Sequence, residues 1–177
     1  MPSWHVARMT PDRTRRLSAV WFADIVGYTD LSSRDEAGAL AVVDCFQRLV
    51  RETAEANSGR VVKFLGDGAL VEFASVDSAV RSALSLRNAF AAAQREDGRG
   101  TQLRMGLHLG EFVMADDGDM YGGTLNIAAR IEAVAMPGEI LVSDTIFGQI
   151  RARTLWAEAA TSGNQGLDRA GQSCVSG

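Results

Sequence analysis

The sequence predicts an α+β fold, a ferredoxin-like βαββαβ core with helices packed on an antiparallel sheet. Three observations carry this expectation. Residues 17–26 (LSAVWFADIV) form a mostly apolar run rich in residues that suit a buried strand. Residues 60–65 and 69–74 are two short strand-like runs around Gly66-Asp67-Gly68, which reads as a hairpin with the aspartate at its tip. Residues 35–57 and 78–95 carry apolar side chains at helical spacing.

In chain order, the first strand ends in Gly27-Tyr28-Thr29-Asp30, a turn-like stretch. The first helix sets Leu40, Val43, Phe46 or Leu49, Val50 and Ala54 on one face, and Ser58-Gly59 stops it. The second helix follows the hairpin and breaks at Asp97-Gly98-Arg99-Gly100. Residues 103–115 read as a strand bent at Gly110, followed by an acidic turn over 116–119. Gly122-Gly123 opens a helix over 124–135, with Ile127, Ile131 and Val134 as its apolar stripe, and Pro137-Gly138 ends it. Residues 140–142 form a short strand, and Ser143 or Asp144 caps a last helix toward Arg151. This alternation places the helices over one face of the sheet. Residues 162–177 have no periodicity and are rich in small polar residues, which reads as a disordered tail.

Composition narrows the function. A chain of 177 residues, 46% hydrophobic and 23% charged, suits one globular domain. The net charge of −4 argues against a nonspecific nucleic-acid binder, which leans on a basic surface. It leaves room for a small anionic ligand held by a few placed groups. Cys45 and Cys174 are far apart and form no metal-like pair, so a reduced, cytoplasmic chain is expected. No apolar run approaches the ~20 residues that span a bilayer, and residues 1–16 lack an apolar signal segment. Arg13, Arg15 and Arg16 form a small basic cluster that reads as a solvated leader in preference to a membrane or nucleic-acid contact.

Candidate chemistry gathers at a few positions. Asp24 ends an apolar strand, where a lone charge is costly. If that strand lies beside the hairpin, Asp24 and Asp67 converge, and two carboxylates plus waters and ligand phosphates are what Mg²⁺ prefers. The residues alone equally allow a helix or turn cap at Asp24 and an ordinary turn residue at Asp67. Gly27 allows backbone N–H groups to approach an anion, or simply makes a turn. Asn126 and Arg130, four apart, share one helix face, which is either ligand-facing or merely solvated. Lys63 is the only lysine beside 17 arginines; on strand alternation it shares a face with Val61 and Leu65. A compact ammonium there can meet a ring acceptor, or can snorkel from a sheet edge. Asp119 is by itself a turn residue, and His108 and the methionines read as structural.

Taken together, these segments resemble the catalytic domain of class III nucleotide cyclases. The resemblance rests on Phe22-Ala23-Asp24-Ile25-Val26-Gly27-Tyr28-Thr29, on Lys63-Phe64-Leu65-Gly66-Asp67 and on Leu103-Arg104-Met105-Gly106-Leu107-His108-Leu109-Gly110. It also rests on the stretch 119–130 (DMYGGTLNIAAR), and all four segments stand in the family's order. The resemblance covers about residues 16–151, leaving 1–15 as a leader and 152–177 as the tail.

What the resemblance implies is specific. Asp24 and Asp67 would bind two Mg²⁺ or Mn²⁺ ions, with the Ile25 carbonyl as a further ligand. Backbone amides from Val26, Gly27, Tyr28 and Thr29 would hold phosphates, helped by Arg104. Lys63 and Asp119 would read the base, Asn126 would orient the ribose and Arg130 would stabilise the transition state. The reaction would be attack of the ribose 3′-hydroxyl on the α-phosphate, giving a cyclic nucleotide and pyrophosphate. A Lys/Asp pair suits adenine, since lysine donates to ring N1 and aspartate accepts from the N6 amino group. ATP is therefore the expected substrate, with GTP, or a silent nucleotide-binding and dimerisation module, as the alternatives. In the family each site forms between subunits, and this chain holds both halves, so a homodimer with two shared sites is expected. Nothing after Arg151 resembles the family's closing hairpin, which can place a lysine on the terminal phosphates.

Overall fold

The computed structural model describes residues 15–98, 100–114 and 120–151. Residues 1–14, the acidic turn with Asp119, and the tail with Cys174 lie outside the described residues. Arg15 and Arg16, read in the sequence as part of a solvated leader, belong instead to the first strand, where they pair with Val113 and Phe112. The first strand, β1 (Arg15–Ile25), runs into a short helix, α1 (Tyr28–Arg34), and then a long one, α2 (Glu36–Ala56). Strands β2 (Gly59–Leu65) and β3 (Gly68–Phe73) form the expected hairpin, followed by α3 (Val76–Glu96) and β4 (Leu103–Met114). A two-residue strand, β5 (Met120–Tyr121), precedes α4 (Gly123–Val134), β6 (Ile140–Val142) and α5 (Asp144–Arg151).

The sheet order is β2-β3-β1-β4-β5, with β6 also on β4. All pairings are antiparallel except β4 with β6. The pairing of β4 with β1 runs through Gly110 without a register shift. Local chemistry accounts for the helix starts: the Asp35 side chain accepts from the Gly38 N–H, and that of Ser75 accepts from the Ser78 N–H.

The helices divide between the two sheet faces, which corrects the expectation of one covered face. Alternate strand residues explain the division. Trp21, Val71, Met105 and Leu107 point to one side and pack with Phe46, Val50, Leu86, Phe90 and Ile146 from α2, α3 and α5. Val20, Leu70 and Phe112 point to the other side, where Ala128 and Leu125 of α4 cover them. Gly106 lies on that second side and admits α4 at close range. A β-carbon there would sit 2.2 Å from the Glu132 backbone nitrogen and 2.7 Å from the Ala128 carbonyl oxygen.

Four local expectations are also corrected. Tyr28 to Asp30 begin a helix instead of a turn, because Gly27 takes the left-handed conformation at its start (φ 77°) and reverses the chain within one residue. Leu40 is 56% exposed, and Ala39 and Val42 take its place against the core. Val134 is 59% exposed, while Ile131 and Ala135 pack on Leu141. A bulge lies between Val61 and Lys63, so Lys63 pairs with Leu70 and shares the α4 side of the sheet with Val62, not with Val61. Among the described residues, no helix is long and apolar enough to cross a membrane.

Candidate active site

The end of β1 and the tip of the β2–β3 hairpin meet. Asp24 pairs in register with Gly68, and the Ile25 N–H donates to the Asp67 carbonyl at 3.2 Å. The hairpin loop is two residues, Gly66 and Asp67, with Gly66 at φ 69° in the position where such turns require a positive angle. Backbone pairing thus places both carboxylates at one end of the sheet. The Asp24 carboxyl is pushed above the usual range by burial; the Arg104 hydrogen bond opposes this, and the neighbouring Asp67 charge adds to it.

Arg104 stands opposite Asp24 on β4. Its Nε and Nη2 both donate to Asp24 Oδ2, at 3.1 and 2.8 Å. The family resemblance implies a phosphate contact for this arginine, whereas here its guanidinium rests on a carboxylate expected to hold metal. Glu132 of α4 completes the group, with Oε1 2.6 Å from Arg104 Nε. The side chain of Glu132 is only 13% exposed, and Oε1 accepts no directed hydrogen bond, because the Nε–H points to Asp24. Burial raises the Glu132 carboxyl, Arg104 counters it, and the Asp24 and Asp67 charges reinforce it.

Glu132 was missed in the sequence, although a signal was there. Leu125, Ala128 and Glu132 share one helical face, so an acidic residue sits at the end of an apolar stripe. A second polar group lies at the far end of the sheet. There Glu72 accepts from Ser18 at 2.8 Å and from Arg60 at 2.7 Å, and is satisfied.

The remaining candidate positions are spread around this centre. The Val26 N–H donates to the Gln102 carbonyl at 2.9 Å, so Val26 drops out of the proposed phosphate-binding amides. Gly27, Tyr28 and Thr29 stay at the start of α1, where the first N–H groups have no partner within the helix. Asn126 and Arg130 are both exposed on α4, in line with Val134. Lys63 is half-buried on β2. The chemistry of the donor set suits a hard divalent cation that takes its other ligands from water and phosphate oxygens: Asp24 and Asp67 are neighbouring carboxylates, and among the described residues no third His, Cys, Asp or Glu joins them as a ligand group.

Comparison with known proteins places the chain in a family. Residues 12–160 match the family described as the adenylate and guanylate cyclase catalytic domain, and the chain belongs to that family. It is 41% identical over 143 residues to a Rhizobium meliloti protein named provisionally as adenylate cyclase 3, covering 79% of this chain and 24% of that protein. It is 37% identical over 147 residues to a Streptomyces coelicolor protein named adenylate cyclase, covering 82% of this chain and 37% of the relative. The chain therefore spans well under half the length of these curated relatives. A crystal structure from Silicibacter pomeroyi, described as an adenylate/guanylate cyclase/hydrolase, superposes with a TM-score of 0.71 at 34% identity, covering 79% of this chain and 83% of that one.

Proposed function

We propose that this chain is the catalytic domain of an adenylate cyclase, converting ATP to 3′,5′-cyclic AMP and pyrophosphate in a homodimer with two shared sites. The observation that carries the reading is the convergence of Asp24 and Asp67 at one end of the sheet, beside a helix that turns Asn126 and Arg130 outward. Two Mg²⁺ or Mn²⁺ ions held there, with the Ile25 carbonyl, would lower the pKa of the ribose 3′-hydroxyl and offset charge on the phosphates. The protein's own groups do the rest. Asn126 orients the ribose so that its 3′-oxygen faces the α-phosphorus. Arg130 stabilises the charge that develops as the 3′-hydroxyl gives up its proton to solvent water, the new O–P bond forms and the bond to pyrophosphate breaks. The amides of Gly27, Tyr28 and Thr29 hold the leaving phosphates, and Arg104, once it leaves Asp24, would add its positive charge there.

The shared site is supported by the outward face of α4. Asn126, Arg130 and Val134 recur every four residues, and Val134 and Met136 are 59% and 55% exposed. Catalytic groups on an exposed face with apolar neighbours suit a surface completed by a second copy. The choice of ATP rests on Lys63, on the α4 side of the sheet, together with Asp119. Facing guanine, these two groups would leave unmatched polar atoms at a cost of about 1–3 kcal/mol each.

The test is product formation from ATP and from GTP, with Mg²⁺ and with Mn²⁺, by this chain and by Asp67→Ala. Cyclic AMP should exceed cyclic GMP by about tenfold or more and disappear in the variant. Equal background from both proteins would sink the enzyme reading, and a GTP preference would sink the adenine assignment.

A further inference from the structure

We infer that Glu132 is a positioning residue for Arg104, the second anchor between which this guanidinium moves. The inference rests on the reading of Asp24 and Asp67 as a divalent-cation site. Arg104 gives two hydrogen bonds to one oxygen, Asp24 Oδ2, and a cation bound to that carboxylate competes for the same atom. The guanidinium then needs another acceptor. Glu132 Oε1 is already 2.6 Å from Nε, is buried, and has no directed hydrogen bond. A buried carboxylate oxygen left in that condition is costly. Turning the Nε–H from Asp24 to Glu132 satisfies the oxygen and frees Oδ2 in one movement.

Charge supports the same conclusion. Asp24, Asp67 and Glu132 set three carboxylates around one guanidinium, leaving an excess that a divalent cation offsets. The fold also fixes the distance. Glu132 is where it is because Gly106, two residues after Arg104 on β4, lets the α4 backbone touch the strand. Without Glu132, and before a nucleotide is bound, Arg104 keeps Asp24 as its carboxylate partner and competes with the metal for it.

The experiment is a titration of the intact chain with Mn²⁺ alone, reading free Mn²⁺ by electron paramagnetic resonance. The proteins are wild type, Glu132→Gln, Arg104→Gln, the double variant and Asp67→Asn, each checked for folding by circular dichroism. Glu132→Gln should weaken Mn²⁺ binding about tenfold in the wild-type background and have no effect once Arg104 is glutamine. Equal weakening in both backgrounds would show that Glu132 acts directly through its charge and would overturn the inference, as would unchanged binding. Should Glu132→Gln fail to fold, Glu132→Asp is the substitute, with a smaller loss that again vanishes without Arg104. Asp67→Asn separates the two levels: if it binds Mn²⁺ as wild type does, the carboxylate-pair reading fails; if it does not, only the role of Glu132 is at issue.

Discussion

Gly106 and Glu132 are in contact through backbone: a β-carbon on residue 106 would lie 2.2 Å from the amide nitrogen of residue 132. The obstacle is main chain on both sides, so no side-chain rotation relieves it. Gly106→Ala should therefore push α4 off the sheet and lower stability by about 1–3 kcal/mol, as overpacking does. Urea unfolding checks this. Because Asn126 and Arg130 ride on α4, turnover should fall more than stability alone explains.

The proposed sharing of sites between two copies predicts complementation. Asp24→Ala and Asn126→Ala should each be inactive alone. Co-refolded in equal amounts, half of the dimers are mixed, and each mixed dimer has one intact site of two. Cyclic AMP formation should recover to about a quarter of wild type. No recovery would mean that each chain carries a complete site of its own.

Base choice should follow Lys63 and Asp119. Lys63→Glu with Asp119→Cys replaces a donor and an acceptor with groups of the opposite kind for ring N1 and the position-6 substituent. The ratio of ATP to GTP turnover should fall by about ten- to a hundredfold. An unchanged ratio, measured as kcat/KM for each nucleotide, would reduce Lys63 to an edge-strand lysine.

His108 predicts a pH effect of defined sign. It is buried, its Nδ1 has no hydrogen-bond partner, and burial holds its pKa below the ordinary imidazole range. The unfolded chain thus binds this proton more readily than the fold does. Its contribution is intact above about pH 6.5 and is lost as pH falls from there toward the folded pKa. Asp24 and Glu132, raised mainly by burial, act in the opposite direction as pH falls. The readout is therefore the difference between wild type and His108→Leu, whose unfolding free energy should decline less between about pH 7 and 5.5.

The sequence was legible where structure is local. The apolar run ending in Asp24 and the Gly66-Asp67 turn are short-range patterns, and their register alone brings the two carboxylates together. The two sheet faces were harder to read, because α4 is apolar on one side just as α2 and α3 are. The bare backbone at Gly106 and Gly110 marks where α4 docks. The side taken by Lys63 was misassigned because an extra residue, Val62, interrupts simple alternation without leaving a compositional trace. The engagement of Arg104 depends on three elements converging, and no spacing within one of them encodes that.

The bulge at Val62 has a consequence for solubility. Strand β2 is the outer strand of the sheet among the described residues, and its stretch Val61-Val62-Lys63-Phe64-Leu65 is mostly apolar. A straight strand of that composition is a template on which other chains can add and aggregate. The bulge disrupts the ladder at that margin, and Lys63 sets a charge beside the interruption. A charged residue within that apolar edge is one of the features by which edge strands discourage pairing with unrelated chains.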